Sequence, residues 1–513
     1  MTGKNPGKHG IFGFFEPLPN SYAVRHTNGS SRRAKTIWKI LSESGRRVGI
    51  INVPMTYPPE EVAGYLVAGM DTPDERSQFM HPPALQGELA REFGKIETIV
   101  YHFRQKLGGS YRSEYRAIKL WERLEERRVR LCQHLMRTHP TDLVMVHLFA
   151  VDQIQHYFWH YMDRTHPLHD PEGARLLGGV IKETYRTIDD LLGELLADLP
   201  PETSVVVLSD HGAGPLSSRW RISVNQFLAS LGLLRFKDAD RPASGARAVA
   251  HFALRHASGF LTRLLPSRLR TWLTWTFPEA RDAVESYIAT GKIDWSTTKA
   301  YCNEKFGPSI WVNLRGARPH GIVEPGAEYE ELLAFITKNL YEIKDPETGE
   351  QMIRQIYRKD EIYSGPYLGN APDLLIDSWL YPAFHPSRAA GNHRGKPSVI
   401  SERRKSRSVA EKTGGHRSNG ILCLKGEPFK AGQALVGAQI IDLAPTILYL
   451  MGLPVPDDMD GRVLTQALKD EYLARHPVTI RKADNGDSTS DRVYSDEDAR
   501  KVEERLKSLG YLD

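Results

Sequence analysis

Cysteine is scarce in this sequence. Only Cys132, Cys302 and Cys423 occur among the 513 residues, and they lie far apart. An odd number of cysteines at such spacing argues against a disulfide framework and is typical of a protein from a reducing compartment. We therefore expect the three thiols to serve in packing and the protein to be cytoplasmic, with a signal peptide on a longer amino terminus left open.

Long apolar runs and a strong charge of either sign are also missing. The sequence contains no stretch of 18 uncharged apolar residues, so we expect no membrane-spanning helix. Its 68 basic and 63 acidic residues leave a net charge of +5, which is no general signature of nucleic-acid binding. With 40% hydrophobic residues, the chain can bury one large core plus an insert, or two unequal domains.

Two apolar runs predict the framework of an α/β fold. "TDLVMVHLFAVD" ends at Asp152, and "TSVVVLSDHG" carries Asp210 and His211; both are typical of strands buried in a parallel sheet. Between them, the region from Ala174 to Leu199 is predicted as one amphipathic helix. Its apolar stripe is Leu177, Ile181, Tyr185, Ile188, Leu192 and Leu195. Such a right-handed βαβ unit brings both strand ends to the sheet edge where ligands bind.

The side chains at those strand ends are of metal-binding types. Asp152 and His156 are four residues apart, so they face one point if the chain turns helical after the strand. Asp210 and His211 are adjacent in the second run. Carboxylate oxygen and imidazole nitrogen are the ligands that zinc prefers when cysteine is absent. Two such pairs on neighbouring strands suggest two metal ions.

A further candidate ligand lies far along the chain. His416 in "TGGHRSNGILCLKG" follows two glycines and precedes a strand-like run. His393 in "GNHRGK" is the second candidate for this distal position. Each motif also has a plainer interpretation, because an Asp at a strand end is often a helix N-cap and we expect most of the other histidines near His156 to be surface or hydrogen-bonded residues.

Taken together, D-x-x-x-H, S-D-H-G and the distal G-G-H resemble the alkaline phosphatase superfamily, and within it the type I phosphodiesterase and nucleotide pyrophosphatase branch. "TGKNPGKHGI" resembles the loop after that family's nucleophile, and "AQIIDLAPTILYLMGLPVPDDMDG" resembles its closing segment. The resemblance implies an alkaline-phosphatase-like α/β sandwich. We expect a central, mostly parallel sheet flanked by helices, a helical insert, and a first strand that is missing from this sequence.

The resemblance also implies an activity and a cofactor. Members hydrolyse phosphodiester or nucleotide-pyrophosphate bonds of small substrates through a covalent phospho-enzyme, with two divalent ions that we expect to be zinc, or alternatively manganese. The ligands of one ion match Asp152, His156 and His416, and two ligands of the other match Asp210 and His211. The family's remaining Asp ligand and its nucleophilic Thr or Ser precede the loop that opens this sequence, so we expect both upstream of Met1.

Two alternatives remain at this stage. One is an inactive, truncated relative that acts as a metal- or phosphate-binding scaffold, and the other is a phosphomonoesterase or phosphomutase of the same superfamily. A sulfatase is a weak third reading, because no cysteine stands in the required C-x-P-x-R context. Nothing in the sequence indicates the oligomeric state.

The predicted domain organisation has four parts. Residues 1–215 form the first part of the hydrolase core, residues 216–300 a helical insert or cap, residues 301–470 the second part of the core, and residues 471–513 a polar linker with a helix over Asp496–Leu509. Within the insert, residues 241–278 combine arginines with aromatic side chains and contain no acidic residue until Glu279. Such a stretch suits an anionic membrane surface, a cap that attracts phosphate, or ordinary helical packing.

Overall fold

The computed structural model describes residues 1–100, 103–197, 199–216, 220–237, 293–377, 399–402, 411–483 and 493–511. The helices of these regions, in chain order, are α1 Pro6–His9, α2 Ile37–Glu43, α3 Pro83–Phe93, α4 Phe103–Lys106, α5 Tyr111–Thr138, α6 Ala150–Met162, α7 Ala174–Leu177, α8 Val180–Ala197, α9 Val224–Ser230, α10 Ala327–Tyr341, α11 Lys359–Ile362, α12 Leu443–Leu450, α13 Asp470–Arg475 and α14 Asp496–Leu509.

The strands of the same regions are short. In chain order they are β1 Phe15–Pro17, β2 Val24–His26, β3 Val48–Ile51, β4 Gly64–Val67, β5 Met80–His81, β6 Leu143–Val146, β7 Val205–Leu208, β8 Gly212–Pro215, β9 Trp220–Ile222, β10 Ala300–Tyr301, β11 Ser309–Val312, β12 Ile356–Arg358, β13 Leu374–Ile376, β14 Ile400–Glu402, β15 Gly414–Arg417, β16 Leu422–Lys425, β17 Val455–Pro456 and β18 Ile480–Arg481.

The first sheet has the order β5-β4-β3-β6, in which β3 runs parallel to both β4 and β6. Every residue of β3 is buried, as expected for a strand covered on both faces. Gly49 is needed within it, because a Cβ there would lie 2.4 Å from the Tyr65 ring. Helices α2, α5 and α12 supply further side chains to the core around this sheet, among them Trp38, Cys132 and Leu448.

The predicted βαβ unit is not formed as a single sheet by the described residues. β6 pairs with β3, whereas β7 pairs antiparallel with β16. Neither strand has, in the part of the chain described, a partner along its second edge. The apolar side chains of both strands are half-exposed instead of buried, and Leu208 is 40% exposed. The apolar runs thus form the predicted strands, but the two strands do not share hydrogen bonds.

The predicted helix from Ala174 to Leu199 is two helices, α7 and α8. The break falls at Gly178 and Gly179, and glycine weakens a helix interior because it loses the most backbone freedom on ordering. The predicted apolar stripe was wrong at two positions. Tyr185 is 47% exposed. In the last part of the helix Leu191 is buried, whereas the predicted Leu192 is only half-buried.

A second sheet, with the order β10-β11-β13-β12, has its own hydrophobic core. Helices α9 and α10 pack on it, and Trp311 and Ile336 are almost fully buried there. The segment "APDLLID" contains strand β13, which pairs with β11 and β12. Asp373 stabilises this sheet, since its carboxylate accepts the Val312 backbone N–H at 2.7 Å and the Tyr329 hydroxyl at 2.9 Å.

The carboxyl-terminal helix α14 has the bounds predicted from the sequence. Its apolar residues Val502, Leu506 and Leu509 pack in a third core with residues of α4, α5 and α6. Among the described residues, none of the helices combines the length and the apolar character needed to cross a bilayer. The basic stretch of residues 241–278 and the candidate ligand His393 lie outside the described residues.

Candidate metal centre

Helix α6 carries the first pair of candidate ligands. Asp152 was predicted at the tip of a strand, but β6 ends at Val146 and Asp152 lies in the first turn of the following helix. His156 is one turn further on, so both side chains occupy the same face. The distance from Asp152 Oδ1 to His156 Nε2 is 3.2 Å, and His156 is 3% exposed.

The antiparallel pair of β8 and β15 brings His416 and His211 to the same point. His416 lies opposite Ala213 in this pairing. Its Nε2 atom is 3.1 Å from His156 Nε2 and 3.6 Å from Asp152 Oδ1. Gly414 permits this approach, since a Cβ there would lie 2.2 Å from the backbone oxygen of Gln155 on α6. Close packing against α6 therefore explains why a glycine stands two residues before His416.

Backbone carbonyl groups fix the orientation of two imidazole rings. His156 Nδ1 lies 2.8 Å from the Gly414 carbonyl oxygen, and His211 Nδ1 lies 2.9 Å from that of Gly212. A ring nitrogen this close to a carbonyl oxygen carries a proton, so in the neutral form of each ring the lone pair is on Nε2. These lone pairs face Asp152, which is the arrangement a metal ion requires.

The electrostatics of the cluster favour ligand-competent protonation states. Burial by itself raises the pKa of the Asp152 carboxyl, but the charge and hydrogen bond of His156, the hydrogen bond of His416 and the charge of Lys412 hold it well below its ordinary range. Burial lowers the pKa of His416, against the opposing effect of Asp152. The carboxylate is therefore ionised and the His416 imidazole neutral at pH 7, as metal binding demands.

The second predicted pair adjoins this cluster. His211 Nε2 lies 3.8 Å from Asp152 Oδ1, and its ring stacks on His416 at 3.7 Å between centroids. The Asp210 side chain is 71% exposed, and its Oδ1 lies 3.7 Å from His211 Nε2. Within the described residues, the ligand atoms of Asp152, His156 and His416 all lie within 4.8 Å of one another. Asp210 and His211 border that group on its exposed side.

Sequence reasoning missed the residues that support the cluster. Tyr511 donates its hydroxyl hydrogen to Asp152 Oδ2 at 2.7 Å, and Gln153 Nε2 donates to the same oxygen at 3.0 Å. Burial, followed by the charge of Asp152, raises the pKa of Tyr511 well above its usual range, so the phenol remains a donor. Tyr511 lies in the ending "LKSLGYLD", in which no spacing or residue pattern indicates a role at a metal centre.

Another unpredicted contact holds the start of helix α6. Glu125 of α5 is fully buried, and its Oε1 accepts the backbone N–H groups of Phe149 and Ala150 at 2.7 and 2.8 Å. The helix has no N-cap side chain of its own, so Glu125 satisfies amide groups that would otherwise lack partners. Its negative charge also lies at the positive end of the helix dipole.

The opening loop packs against the closing segment of the chain. Lys8 Nζ lies 2.6 Å from Asp460 Oδ1, and the Asn5 backbone N–H donates to Asp460 Oδ2 at 2.7 Å. Lys4 forms an ion pair with Asp458. Thr2 in the same loop is 6% exposed and so does not present its hydroxyl to solvent. Two distant motifs of the sequence thus form one structural unit.

Comparison with known proteins adds one positive finding. The model of the family described as Type I phosphodiesterase / nucleotide pyrophosphatase matches residues 1–271, which contain Asp152, His156, Asp210 and His211. A search of curated proteins found no match. Because the match covers more than half of the 513 residues, the chain belongs to the type I phosphodiesterase/nucleotide pyrophosphatase family of the alkaline phosphatase superfamily, whose members are typically metal-dependent hydrolases of phosphate esters and nucleotides.

Proposed function

We propose that this protein hydrolyses phosphodiester or nucleotide-pyrophosphate bonds at a centre of two divalent cations, zinc or alternatively manganese. The observation that carries the proposal is the convergence of Asp152, His156 and His416. His156 Nε2 and His416 Nε2 are 3.1 Å apart, and His156 carries its proton on Nδ1. A shared cation between these nitrogens and an ionised carboxylate suits the donor set, since zinc binds both ligand types.

The proposed division of ligands follows the two pairs. Asp152, His156 and His416 hold one cation, and Asp210 and His211 contribute to the second. When bound, the cations neutralise charge on the phosphoryl oxygens and lower the pKa of an attacking hydroxyl. The five side chains transfer no proton in this scheme. Their task is to hold the cations, which in turn keep the phosphoryl group and the attacking group in line.

The attacking hydroxyl is proposed to lie on a strand that precedes Met1 in a longer chain, together with a further Asp ligand. The open edges of β6 and β7 support this placement, because their apolar residues are half-exposed where such strands are ordinarily buried. Two hydroxyl groups in the described part of the neighbouring segments already have other partners. Thr413 Oγ1 lies 3.0 Å from His160 Nδ1, and Ser209 Oγ accepts the Ile421 N–H at 2.8 Å.

Metal analysis and a phosphodiesterase assay test the proposal together. Purified protein, as the 513-residue chain and with an amino-terminal extension, is analysed for bound metal and assayed with bis(4-nitrophenyl) phosphate. We expect both forms to bind zinc or manganese and the extended form to hydrolyse the diester far faster. His416→Ala should abolish cation binding at the three-residue cluster, whereas His476→Ala, at an exposed histidine, should leave it unchanged.

Two results would contradict the proposal. If the protein lacks bound cation and does not take up added zinc or manganese in either form, the cluster is not a metal centre. If the extended form binds cations and hydrolyses no diester, the second candidate function applies, a metal- or phosphate-binding scaffold. The observation that favours this alternative is the exposure of Asp210, which leaves the second cation with few enclosing ligands among the described residues.

A further inference from the structure

We propose that Tyr511, two residues from the end of the chain, is a positioning residue of the metal centre. By holding one oxygen of Asp152, it directs the other oxygen at the cation. The inference rests on the proposed function and adds a residue that no ligand motif contains. It concerns the cluster of Asp152, His156 and His416, which lies wholly within the described residues.

The two oxygens of Asp152 have different surroundings. Oδ2 accepts hydrogen bonds from Tyr511 Oη at 2.7 Å and from Gln153 Nε2 at 3.0 Å. Oδ1 lies 3.2 Å from His156 Nε2 and 3.6 Å from His416 Nε2. A carboxylate held in this way cannot rotate its two oxygens freely, so Oδ1 is oriented toward the imidazole nitrogens before a cation binds.

Tyr511 is itself held in place by the end of helix α14. The helix ends at Leu509, and Gly510 caps it in the left-handed conformation, with φ of +78°. Only glycine fits at this position. Its φ is unfavourable for a residue with a side chain, and a Cβ there would lie 2.3 Å from the Tyr157 hydroxyl oxygen. The Tyr511 backbone N–H then donates to the Leu506 carbonyl at 2.9 Å. This turn directs the ring of Tyr511 back toward α6.

Neighbouring side chains enclose the ring. Its centroid lies 5.3 Å from that of Phe14 and 6.3 Å from that of Phe149. Lys412 Nζ lies 4.8 Å from the ring centroid, at a distance typical of a cation–π contact. Replacing Tyr511 by Phe therefore preserves the packing and removes only the hydrogen bond to Asp152.

Metal affinity is the measurement that separates positioning from general stability. Groups that orient metal ligands commonly change affinity by roughly 10–100-fold when they are removed. Zinc and manganese are titrated into the full chain in competition with a chelating dye. We expect Tyr511→Phe to weaken the affinity of the cluster about tenfold.

The matched control is Tyr494→Phe. Tyr494 is buried near the carboxyl terminus, and its hydroxyl donates to the Asp71 carbonyl at 2.7 Å, whereas among the described contacts none joins it to Asp152, His156 or His416. Both variants lose one phenolic hydrogen bond, so a general loss of stability should affect both. We expect Tyr494→Phe to leave metal affinity unchanged.

Each outcome decides the matter. A wild-type chain that binds cation, with weaker binding by Tyr511→Phe alone, supports the inference. Equal metal affinity of wild type and Tyr511→Phe overturns the inference but not the proposed function. An equal loss of metal affinity in Tyr511→Phe and Tyr494→Phe has the same consequence. A wild-type chain that binds neither zinc nor manganese overturns the proposed function and the inference with it.

Discussion

Replacement of Glu125 should destabilise both the fold and the metal centre. This residue is fully buried in α5, where its Oε1 accepts two backbone N–H groups at the start of α6, those of Phe149 and Ala150. Its Oε2 pairs with the buried guanidinium of Arg128, which also donates to the Thr98 carbonyl at 2.8 Å. One carboxylate thus accepts the free N–H groups at a helix terminus and also neutralises a buried guanidinium.

The expected magnitude follows from these contacts. Glu125→Ala leaves Arg128 without its counter-charge, and breaking a buried ion pair in this way costs about 3–5 kcal/mol. Each amide that loses its acceptor in the interior adds about 1–3 kcal/mol. Because these costs are not additive, we expect the free energy of unfolding to fall by about 4–6 kcal/mol, a large share of a stability of about 5–15 kcal/mol.

Glu125→Gln tests the charge separately from the shape. The amide keeps an acceptor oxygen for the two backbone N–H groups but places no negative charge beside Arg128. We expect a loss of about 2–3 kcal/mol, the contribution of a charge-assisted hydrogen bond. The double variant Glu125→Leu/Arg128→Met should recover part of the loss of Glu125→Ala, because it removes both buried charges together.

Urea unfolding in the presence of a chelator measures these differences without a contribution from bound metal. Trp121, on the same helix and fully buried, provides a fluorescence signal close to the substitution. Glu126→Gln, at the half-buried next position, is the control and should change stability by less than about 0.5 kcal/mol. If the free energy of unfolding of Glu125→Ala lies within about 1 kcal/mol of the wild-type value, the reasoning is refuted, because so small a change is typical of a substitution at an exposed position.

Three further predictions follow from single residues. Burial raises the pKa of Asp71 to about 6, so its contribution to stability is complete below the unfolded pKa of about 3.8 and is lost as pH rises through 6. Relative to Asp71→Asn, the free energy of unfolding of wild type should fall by about 2–2.5 kcal/mol between pH 4 and pH 7 in urea titrations. A maleimide should label exposed Cys423 in the native protein and buried Cys132 only after unfolding, and native labelling of both would contradict the packing. Gly64→Ala should prevent soluble expression or lower the melting temperature sharply, because φ is +120° and the new Cβ would lie 2.2 Å from the Val48 oxygen; unchanged melting would exclude this clash.

Local patterns were sufficient to predict much of the candidate site. Asp152 and His156 were paired from their four-residue spacing, and the structure places both on one helix. His416 was singled out by its two preceding glycines, of which Gly414 lies directly against α6. In each case the relevant geometry is set within a few residues, where spacing and glycine content are direct physical constraints. The roles of these residues as ligands stay a prediction.

Strand partners could not be predicted in the same way. The apolar runs of β6 and β7 correctly indicated two strands, but hydrophobicity specifies burial and leaves the neighbour undetermined. β7 pairs with β16, whose residues Leu422–Lys425 lie more than 200 positions further along the chain. Pairing depends on contacts between distant segments, for which the sequence contains no local signal.

The residues that support the candidate metal centre could not be predicted either, because they contact it from distant parts of the chain. Tyr511 contacts Asp152 across 359 positions of the chain, and Glu125 appears in the sequence as one more acidic residue of a long amphipathic helix. Glu125 lies on the apolar stripe of that helix, four residues after Trp121 and four before Val129, whereas Glu126 does not. The stripe indicates burial of Glu125, but only the packing of α5 against α6 shows that its carboxylate reaches the amides of the next helix.

Asp152 is the point at which these distant segments meet. Glu125 holds the backbone of its helix, Tyr511 holds one of its oxygens, and His416 faces the other. The family match ends at residue 271, yet His416 and Tyr511 both lie beyond it. The family assignment therefore rests on the first half of the chain, whereas the proposed centre is complete only after the carboxyl-terminal part has packed onto helix α6. Folding of the two parts and binding of the cation should consequently be coupled, since each side of the cluster supplies ligands that the other lacks.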